Sequence, residues 1–252
     1  MNFRGKKIFI AGASSGIGQA TAIMISQLGG RVVLCGRSKE KLDLTQSMME
    51  GDGHLSAPYD LTQCDGIKQY IKNCVDADGI PFNGFVFTAG VSWGTVIRAQ
   101  KLESYRDMME SNYFSYVALL KEFCSRKVLD DGGSIVALSS SITFHWDKST
   151  SAYACSKSAL EAISNVASHE LVGRKIRVNT VCPEMVNTPM SKTFFQQLSE
   201  DDRNVFYPLG SLEPMDVANT IVFLLSDMSS KITGQKIYIS AGNDGRPIEY
   251  IF

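Results

Sequence analysis

The chain is poor in the features that mark metal, disulfide, membrane or nucleic-acid proteins. Only three of its 252 residues are histidine, His54, His145 and His169, and their spacing suits no metal site. Its six cysteines, Cys35, Cys64, Cys74, Cys124, Cys155 and Cys182, are scattered and include no Cys-x-x-Cys pair. That pattern argues against a disulfide framework and fits reduced, core-filling thiols, so a cytoplasmic setting is expected. No apolar run approaches the ~20 residues of a membrane span. Arg4, Lys6 and Lys7 precede an apolar stretch, but Ile8 to Ala13 is too short for a signal peptide and leads straight into a Gly/Ser turn. An excess of one charge is missing as well. With 25 Lys plus Arg against 26 Asp plus Glu, the net charge is -1, and nothing favours nucleic acid. No Pro/Gly/Ser-rich linker, repeat or low-complexity tract divides the chain.

What remains is a globular composition, 44% hydrophobic and 20% charged, at a length that one large α/β domain can fill. Short apolar runs, rich in β-branched residues, alternate with helical patterns almost from end to end. The runs are Lys7 to Ala11, Arg31 to Cys35, His54 to Tyr59, Gly84 to Thr88, Gly133 to Ser139, Arg177 to Cys182 and Lys236 to Ile239. Apolar residues recur at helical spacing in Gly16 to Leu28, Lys39 to Met49, Cys64 to Ala77, Leu102 to Phe123, Ala152 to Leu171 and Pro214 to Leu225. Such alternation predicts βαβ units with right-handed crossovers, and hence a single-domain α/β fold with a doubly wound parallel sheet over residues 1–252. In that architecture ligands bind beyond the carboxyl ends of the strands.

Directly after the first strand stand Gly12, Ala13, Ser14, Ser15, Gly16, Ile17 and Gly18, followed by a helical run. Glycines there let the backbone turn sharply and approach a pyrophosphate, and the helix N-terminus supplies N–H groups and partial positive charge. The spacing is Gly-x-x-x-Gly-x-Gly rather than Gly-x-Gly-x-x-Gly. A merely structural turn would carry the same glycines. The second strand ends in Gly36 and Arg37, where an acidic residue would select an unphosphorylated ribose. A cation at that point suits a 2′-phosphate, so NADP(H) is expected over NAD, unless Arg37 is only a solvated surface arginine. Asp60 and Leu61, after the third strand, are placed for an adenine; Asp60 would serve equally as a helix cap.

Tyr153 is the one tyrosine with a lysine four residues on, Lys157, which puts both on one helical face. Ser140, between Ser139 and Ser141, ends a strand upstream, and Asn112 lies in the preceding helical run. A tyrosine can give a carbonyl oxygen its proton, but an ordinary pKa of about 10 makes it sluggish. A nearby ammonium would stabilise the phenolate. A lone Tyr-x-x-x-Lys is common on helices and proves little.

With these residues in this order, the chain resembles the short-chain dehydrogenase/reductase family, in its short single-domain branch, and is similar to members that reduce 3-oxoacyl-acyl carrier protein. The resemblance runs through Gly12 to Gly18, Asp60-Leu61, Ala89-Gly90, Asn112, Ser140, Tyr153, Lys157, Pro183, Thr188 and Ile232 to Gln235. It implies a Rossmann fold and an oxidoreductase that interconverts a carbonyl and an alcohol by hydride transfer. Tyr153 would be the general acid or base, and Ser140 would donate to the substrate oxygen. Lys157 would hold the nicotinamide ribose, and Asn112 would fix a water linking Lys157 to solvent. Ala89, Gly90, Pro183, Val186 and Thr188 would complete the cofactor site. A homotetramer or homodimer is implied, built on the helices at 102–123 and 152–171 with a second contact from the C-terminal segment.

Two departures stand out. Phe87 and Thr88 occupy positions where the family usually has two asparagines, and Glu184 follows Pro183 where glycine is common. The loops expected around a substrate carry Ser92, Trp93, Phe144, His145, Trp146, Glu184, Met185 and Met190, with a lid over about residues 190–206. Trp93, His145, Trp146 and Glu184 are the candidate substrate contacts, although the aromatics also fit simple packing and the lid an ordinary helical insertion. The substrate is expected to be a small ketone or sugar-type carbonyl. The alternative is 3-oxoacyl-[acyl-carrier-protein]; its acidic carrier calls for cations, which Arg174 and Lys175 offer and which Asp130 and Asp131 oppose. A non-catalytic dinucleotide-binding sensor is the competing class, and it would have no use for Ser140, Tyr153 and Lys157 together.

Overall fold

The computed structural model describes residues 1–243, apart from the side chains of Phe194 and Gln197. Seven strands form one sheet: Lys7–Ala11 (β1), Arg31–Gly36 (β2), Leu55–Pro58 (β3), Phe82–Phe87 (β4), Leu129–Leu138 (β5), Arg177–Pro183 (β6) and Lys236–Ile239 (β7). Their order is β3-β2-β1-β4-β5-β6-β7, with every pairing parallel. The helices are Gly16–Gln27 (α1), Lys39–Ser47 (α2), Ile67–Asp76 (α3), Leu102–Met109 (α4), Ser115–Phe123 (α5), Ser151–Leu171 (α6), Lys192–Gln197 (α7), Glu200–Phe206 (α8) and Pro214–Leu225 (α9). No described helix is long and apolar enough to cross a membrane.

Strand chemistry explains the layering. All five residues of β1 are buried, as they must be in a strand covered on both faces. Phe9 and Ala11 join a core with Phe85, Phe123 and Leu160 under α3, α5 and α6. Ile8 and Ile10 point the other way, to Ile25, Val217 and Ile221 of α1 and α9. Strand order reverses between β1 and β4, which opens a crevice beyond their carboxyl ends.

Three sequence expectations need correction. The helical run from Leu102 to Phe123 is interrupted by a π-helical turn, Glu110–Phe114, that separates α4 from α5. One inserted residue leaves the apolar periodicity nearly intact, so pattern alone misses it. Strand β5 begins at Leu129 rather than Gly133, because Phe82 pairs with Leu129 and Gly84 with Ser134, and the intervening Asp130 to Gly133 bulges out of register. The six cysteines are free, but only Cys35, Cys74 and Cys182 are buried, Cys64 is half-buried, and Cys124 and Cys155 lie on the surface.

The turn between β1 and α1 is squeezed against the end of β4. The Thr88 hydroxyl and the Thr88 N–H both donate to the Ala11 carbonyl at 2.8 Å. Gly12 has φ +92°, and a Cβ there would lie 2.6 Å from the Ala89 nitrogen. A Cβ on Gly18 would lie 2.2 Å from the Gly12 carbonyl oxygen and 2.5 Å from the Thr88 hydroxyl. Gly18→Ala is therefore expected to destabilise the protein by about 1–3 kcal/mol, seen as a lowered Tm, and to weaken dinucleotide binding in a fluorescence titration. An unchanged Tm would show that the turn can widen freely.

Candidate active site

The crevice at the β1/β4 reversal has a volume of about 340 Å³. Its walls are Gly12, Ser14, Ser15, Gly16, Ile17 and Gly18 of the first turn, Arg37 beyond β2, Asp60 and Leu61 beyond β3, Ala89 and Gly90 beyond β4, and Thr188. Ser15 stands at the N-cap of α1 and makes no side-chain bond to the helix, so the first-turn N–H groups face the crevice without an internal cap. A backbone cradle that any Cβ at Gly12 or Gly18 would fill, a helix N-terminus and a cationic rim fit a dinucleotide phosphate chain.

Not every expected cofactor residue lies on these walls. Val186 is buried in the core and bridges to Leu212, and Pro183 ends β6 within the sheet. Asp60 accepts from the Thr62 N–H at 3.1 Å and the Thr62 hydroxyl at 2.8 Å, a turn contact rather than the cap of a helix. Sequence reasoning also missed Lys41, which lines the crevice with Arg37 from the first turn of α2. Its signal was available, since Lys39 and Lys41 follow Arg37 within four residues at a helix start.

Deeper in, Tyr153 and Lys157 project from one face of α6. Lys157 is only 3% exposed; its Nζ donates to the Leu138 carbonyl at 2.7 Å and stands 5.7 Å from the centre of the Tyr153 ring. A Cβ on Gly90 would meet Asn112 Oδ1 at 3.1 Å and Lys157 Nζ at 3.7 Å, so the three groups converge. Asn112 occupies the π-helical turn, a local distortion that recurs at functional sites. Its side chain is engaged on both ends. Oδ1 accepts from the Val91 N–H at 2.8 Å, while Nδ2 donates to the Val91 carbonyl at 2.9 Å and to the Ser156 hydroxyl at 3.0 Å. Asn112 thus clamps the loop after β4 to α6.

Burial dominates the electrostatics. It pushes the Tyr153 phenol up to about 12, with the Ser140 hydroxyl acting in the opposite direction. It lowers the Lys157 ammonium to about 8, opposed by Cys182 and Glu161. Within the protein's own groups burial sets the direction at Tyr153, and the Lys157 ammonium donates to the Leu138 carbonyl nearby.

Glu161, one turn beyond Lys157, is a functional neighbour that the sequence reading overlooked. This buried carboxylate accepts from the Ser139 hydroxyl at 2.5 Å and the Thr143 hydroxyl at 2.7 Å, and pairs with Lys236 Nζ at 2.6 Å. Ser139 and Thr143 flank Ser140, whose Oγ caps the following short turn by accepting from the Ile142 N–H at 3.3 Å.

On the substrate side, His145 and Glu184 come together through a residue not foreseen, Tyr238 of β7. Its hydroxyl lies 2.7 Å from His145 Nε2 and donates to Glu184 Oε1. Register explains the meeting, since Cys182 pairs with Tyr238 and the Glu184 N–H donates to Ile239. Trp93 and Trp146 are not gathered in; both are exposed, Trp146 at 70%. The charges weighed for a carrier protein are also misplaced. Asp131 pairs with Arg174 at 2.7 Å at the start of β5, the amino edge of the sheet, opposite the site.

Comparison with known proteins accords with this geometry. The family described as Enoyl-(Acyl carrier protein) reductase matches residues 12–244. A 3-oxoacyl-[acyl-carrier-protein] reductase of Thermotoga maritima is 32% identical over 96% of this chain and 99% of its own. The D-erythrulose reductase of Gallus gallus is 31% identical over 96% and 97% of the two chains. The structure of a short-chain type dehydrogenase/reductase from Mycobacterium ulcerans superposes with a TM-score of 0.89 at 28% identity, covering 96% of this chain and 90% of that one. The crevice, the tyrosine–lysine helix and these full-length matches lead to one conclusion: the chain belongs to the short-chain dehydrogenase/reductase family, as an NAD(P)-dependent oxidoreductase that interconverts carbonyl and alcohol groups of small molecules.

Proposed function

We propose that the protein uses NADPH to reduce a small ketone or sugar-type carbonyl, with Tyr153 as general acid, Ser140 as hydrogen-bond donor to the substrate oxygen, and Lys157 holding the cofactor ribose. The observation that carries this reading is the convergence of Ser140, Tyr153 and Lys157 beside the glycine-lined crevice whose rim carries Arg37 and Lys41. A dinucleotide held in the crevice would supply the hydride that the carbonyl carbon takes up. The π pair of the carbonyl then moves onto oxygen, where Ser140 donates a hydrogen bond and Tyr153 delivers its proton. The Tyr153 phenol is protonated near neutrality, the form that reduction requires, and burial raises it further. The phenolate left behind is stabilised by the Lys157 ammonium. Asn112 acts as a positioning residue, since it fixes the Val91 loop against α6.

In this reading residues 1–252 form one cofactor-binding and catalytic unit, and α7 and α8 are the substrate lid. Phe195, Leu198, Phe206 and Tyr207 form a small apolar cluster of their own there, joined to the body through Met185 and Ala241. The protein works as a homotetramer or homodimer in the cytoplasm. Exposed Ile97, Leu102, Phe114 and Val166 on and around α4, α5 and α6 support association. The second contact expected from the C-terminal segment lies outside the described residues. Reduction of 3-oxoacyl-acyl carrier protein is the second reading, favoured by the Thermotoga maritima relative.

Tyr153→Phe is expected to lower NADPH-dependent ketone reduction by roughly a hundredfold to ten-thousandfold while leaving NADPH affinity intact. Equal inertness of wild type and variant across a ketone panel, with tight cofactor binding, would favour the dinucleotide sensor instead. Arg37→Ala should weaken NADPH about tenfold to a hundredfold and leave NADH unchanged in paired titrations. A parallel loss for both cofactors would remove the 2′-phosphate role. For Lys157, whose folded pKa near 8 lies below the ordinary 10.5, the burial penalty is complete below about pH 8 and fades as pH rises toward 10.5. Lys157→Met should therefore be inactive yet more stable than wild type at neutral pH by about 2–3 kcal/mol, with that advantage shrinking at alkaline pH in paired melts.

A further inference from the structure

One face of α6 carries Tyr153, Lys157 and Glu161 at intervals of four residues, so a phenol, an ammonium and a carboxylate stack turn upon turn. Glu161 is 3% exposed and has no place on the walls of the dinucleotide crevice. Its Oε1 accepts from the Ser139 hydroxyl at 2.5 Å, the Thr143 hydroxyl at 2.7 Å and the Cys182 thiol at 3.4 Å, while Oε2 takes the Lys236 ammonium at 2.6 Å. One carboxylate thereby gathers the segment after β5, the end of β6 and the first residue of β7.

Ser140 stands between two of these anchors. Its hydroxyl makes one long backbone contact, accepting from the Ile142 N–H at 3.3 Å, so its direction is decided by the backbone that carries it. Ser139 fixes that backbone ahead of Ser140, through the carboxylate and through its own N–H on the Val181 carbonyl at 2.8 Å. Thr143 fixes it behind. The Thr143 hydroxyl lies 3.0 Å from the Ser140 carbonyl and 2.7 Å from Glu161. A hydroxyl has a single proton to give, and an ionised carboxylate draws it more strongly than a neutral carbonyl. With Glu161 charged, the turn is held to α6; without that charge, the Thr143 proton passes to the Ser140 carbonyl and the turn closes on itself.

We infer that Glu161 is a positioning residue: by holding Ser139 and Thr143 it aims the Ser140 hydroxyl at the substrate oxygen beside Tyr153, with Lys236 as its counter-charge. The inference rests on Ser140 donating to that oxygen, as proposed above.

The test is a double-mutant cycle between Glu161 and Ser140, read as NADPH oxidation with a trihydroxybutanone and with an acetoacetyl thioester, alongside NADPH affinity. Glu161→Gln keeps the size of the side chain but sets an amide N–H against either the two hydroxyls or Lys236. It should lower kcat about tenfold to a hundredfold and leave NADPH affinity unchanged. Ser140→Ala should lower kcat about a hundredfold, and adding Glu161→Gln to it should cost nothing further, because the group being aimed is gone. Thr143→Val, which leaves the Glu161 charge in place, should show the same dependence on Ser140 and decides the matter if Glu161→Gln does not fold. No fall in these variants, or an equal fall with and without Ser140, overturns the positioning role, while the loss in Ser140→Ala alone upholds the catalytic reading. If Ser140→Ala matches wild type, or wild type with bound NADPH reduces neither compound, the catalytic reading falls and the positioning role with it.

Discussion

The ammonium of Lys157 has been taken almost wholly out of water, and the Leu138 carbonyl at 2.7 Å takes the place of part of its hydration shell. That bond ties the middle of α6 to the last residue of β5 and sets the distance between the helix that carries Tyr153 and the strand end that leads to Ser140. Burial still acts against the charge, so a counter-charge within reach matters. Glu161, one turn further along the same helix, supplies it, and is itself tolerated only because Ser139, Thr143 and Lys236 satisfy it. Ser139 and Thr143 sit on either side of Ser140. The same network that keeps a lysine charged therefore also fixes the segment around Ser140, and a carboxylate one turn from Lys157 becomes part of the geometry of the site.

A second constraint acts from the other side of the crevice. Thr88 draws the end of β4 onto Ala11, and Phe87 packs on Tyr116 of α5, with ring centres 5.0 Å apart. These two contacts replace the amide links that two asparagines would offer, one by a hydroxyl and one by aromatic packing. They bring Thr88 so near the first turn that Gly12 and Gly18 have no room for a side chain. The π-helical turn then aims Asn112 at the Val91 backbone, which holds the loop after β4 open beside Lys157. Departures from the family pattern at Phe87 and Thr88 thus leave the cofactor crevice in place through different chemistry.

The parallel sheet, the glycine turn after β1 and the Tyr153–Lys157 pair were legible in sequence because each follows from local periodicity or from fixed spacing along one helix. What was not legible depends on pairing across the sheet or on a one-residue shift. Tyr238 meets Glu184 only because β7 pairs with β6 in a particular register, and nothing near residue 238 announces it. Glu161 reads as one more polar residue on a long helix until its face proves to be buried. The π-helical turn changes where Asn112 points without disturbing the apolar pattern around it. Arg174 failed in the opposite way, since its charge was visible but its partner, Asp131, and its place at the amino edge were not.

That last displacement moves the substrate question from net charge to local polarity. Once Arg174 and Asp131 neutralise each other at the far edge, neither attracts nor repels an acidic carrier at the site. At the carboxyl ends of β6 and β7 stand Glu184, Tyr238 and His145, joined to one another and backed by Phe144, whose ring lies 5.3 Å from that of Tyr238. A glycine after Pro183 would leave that wall featureless and indifferent to what the substrate carries beyond its carbonyl. A carboxylate there instead ties the end of β6 to β7 through Tyr238, and through Tyr238 to the loop that carries His145. The polarity at the end of β6 is therefore set less by Glu184 alone than by the register that brings β7, and with it Tyr238, alongside.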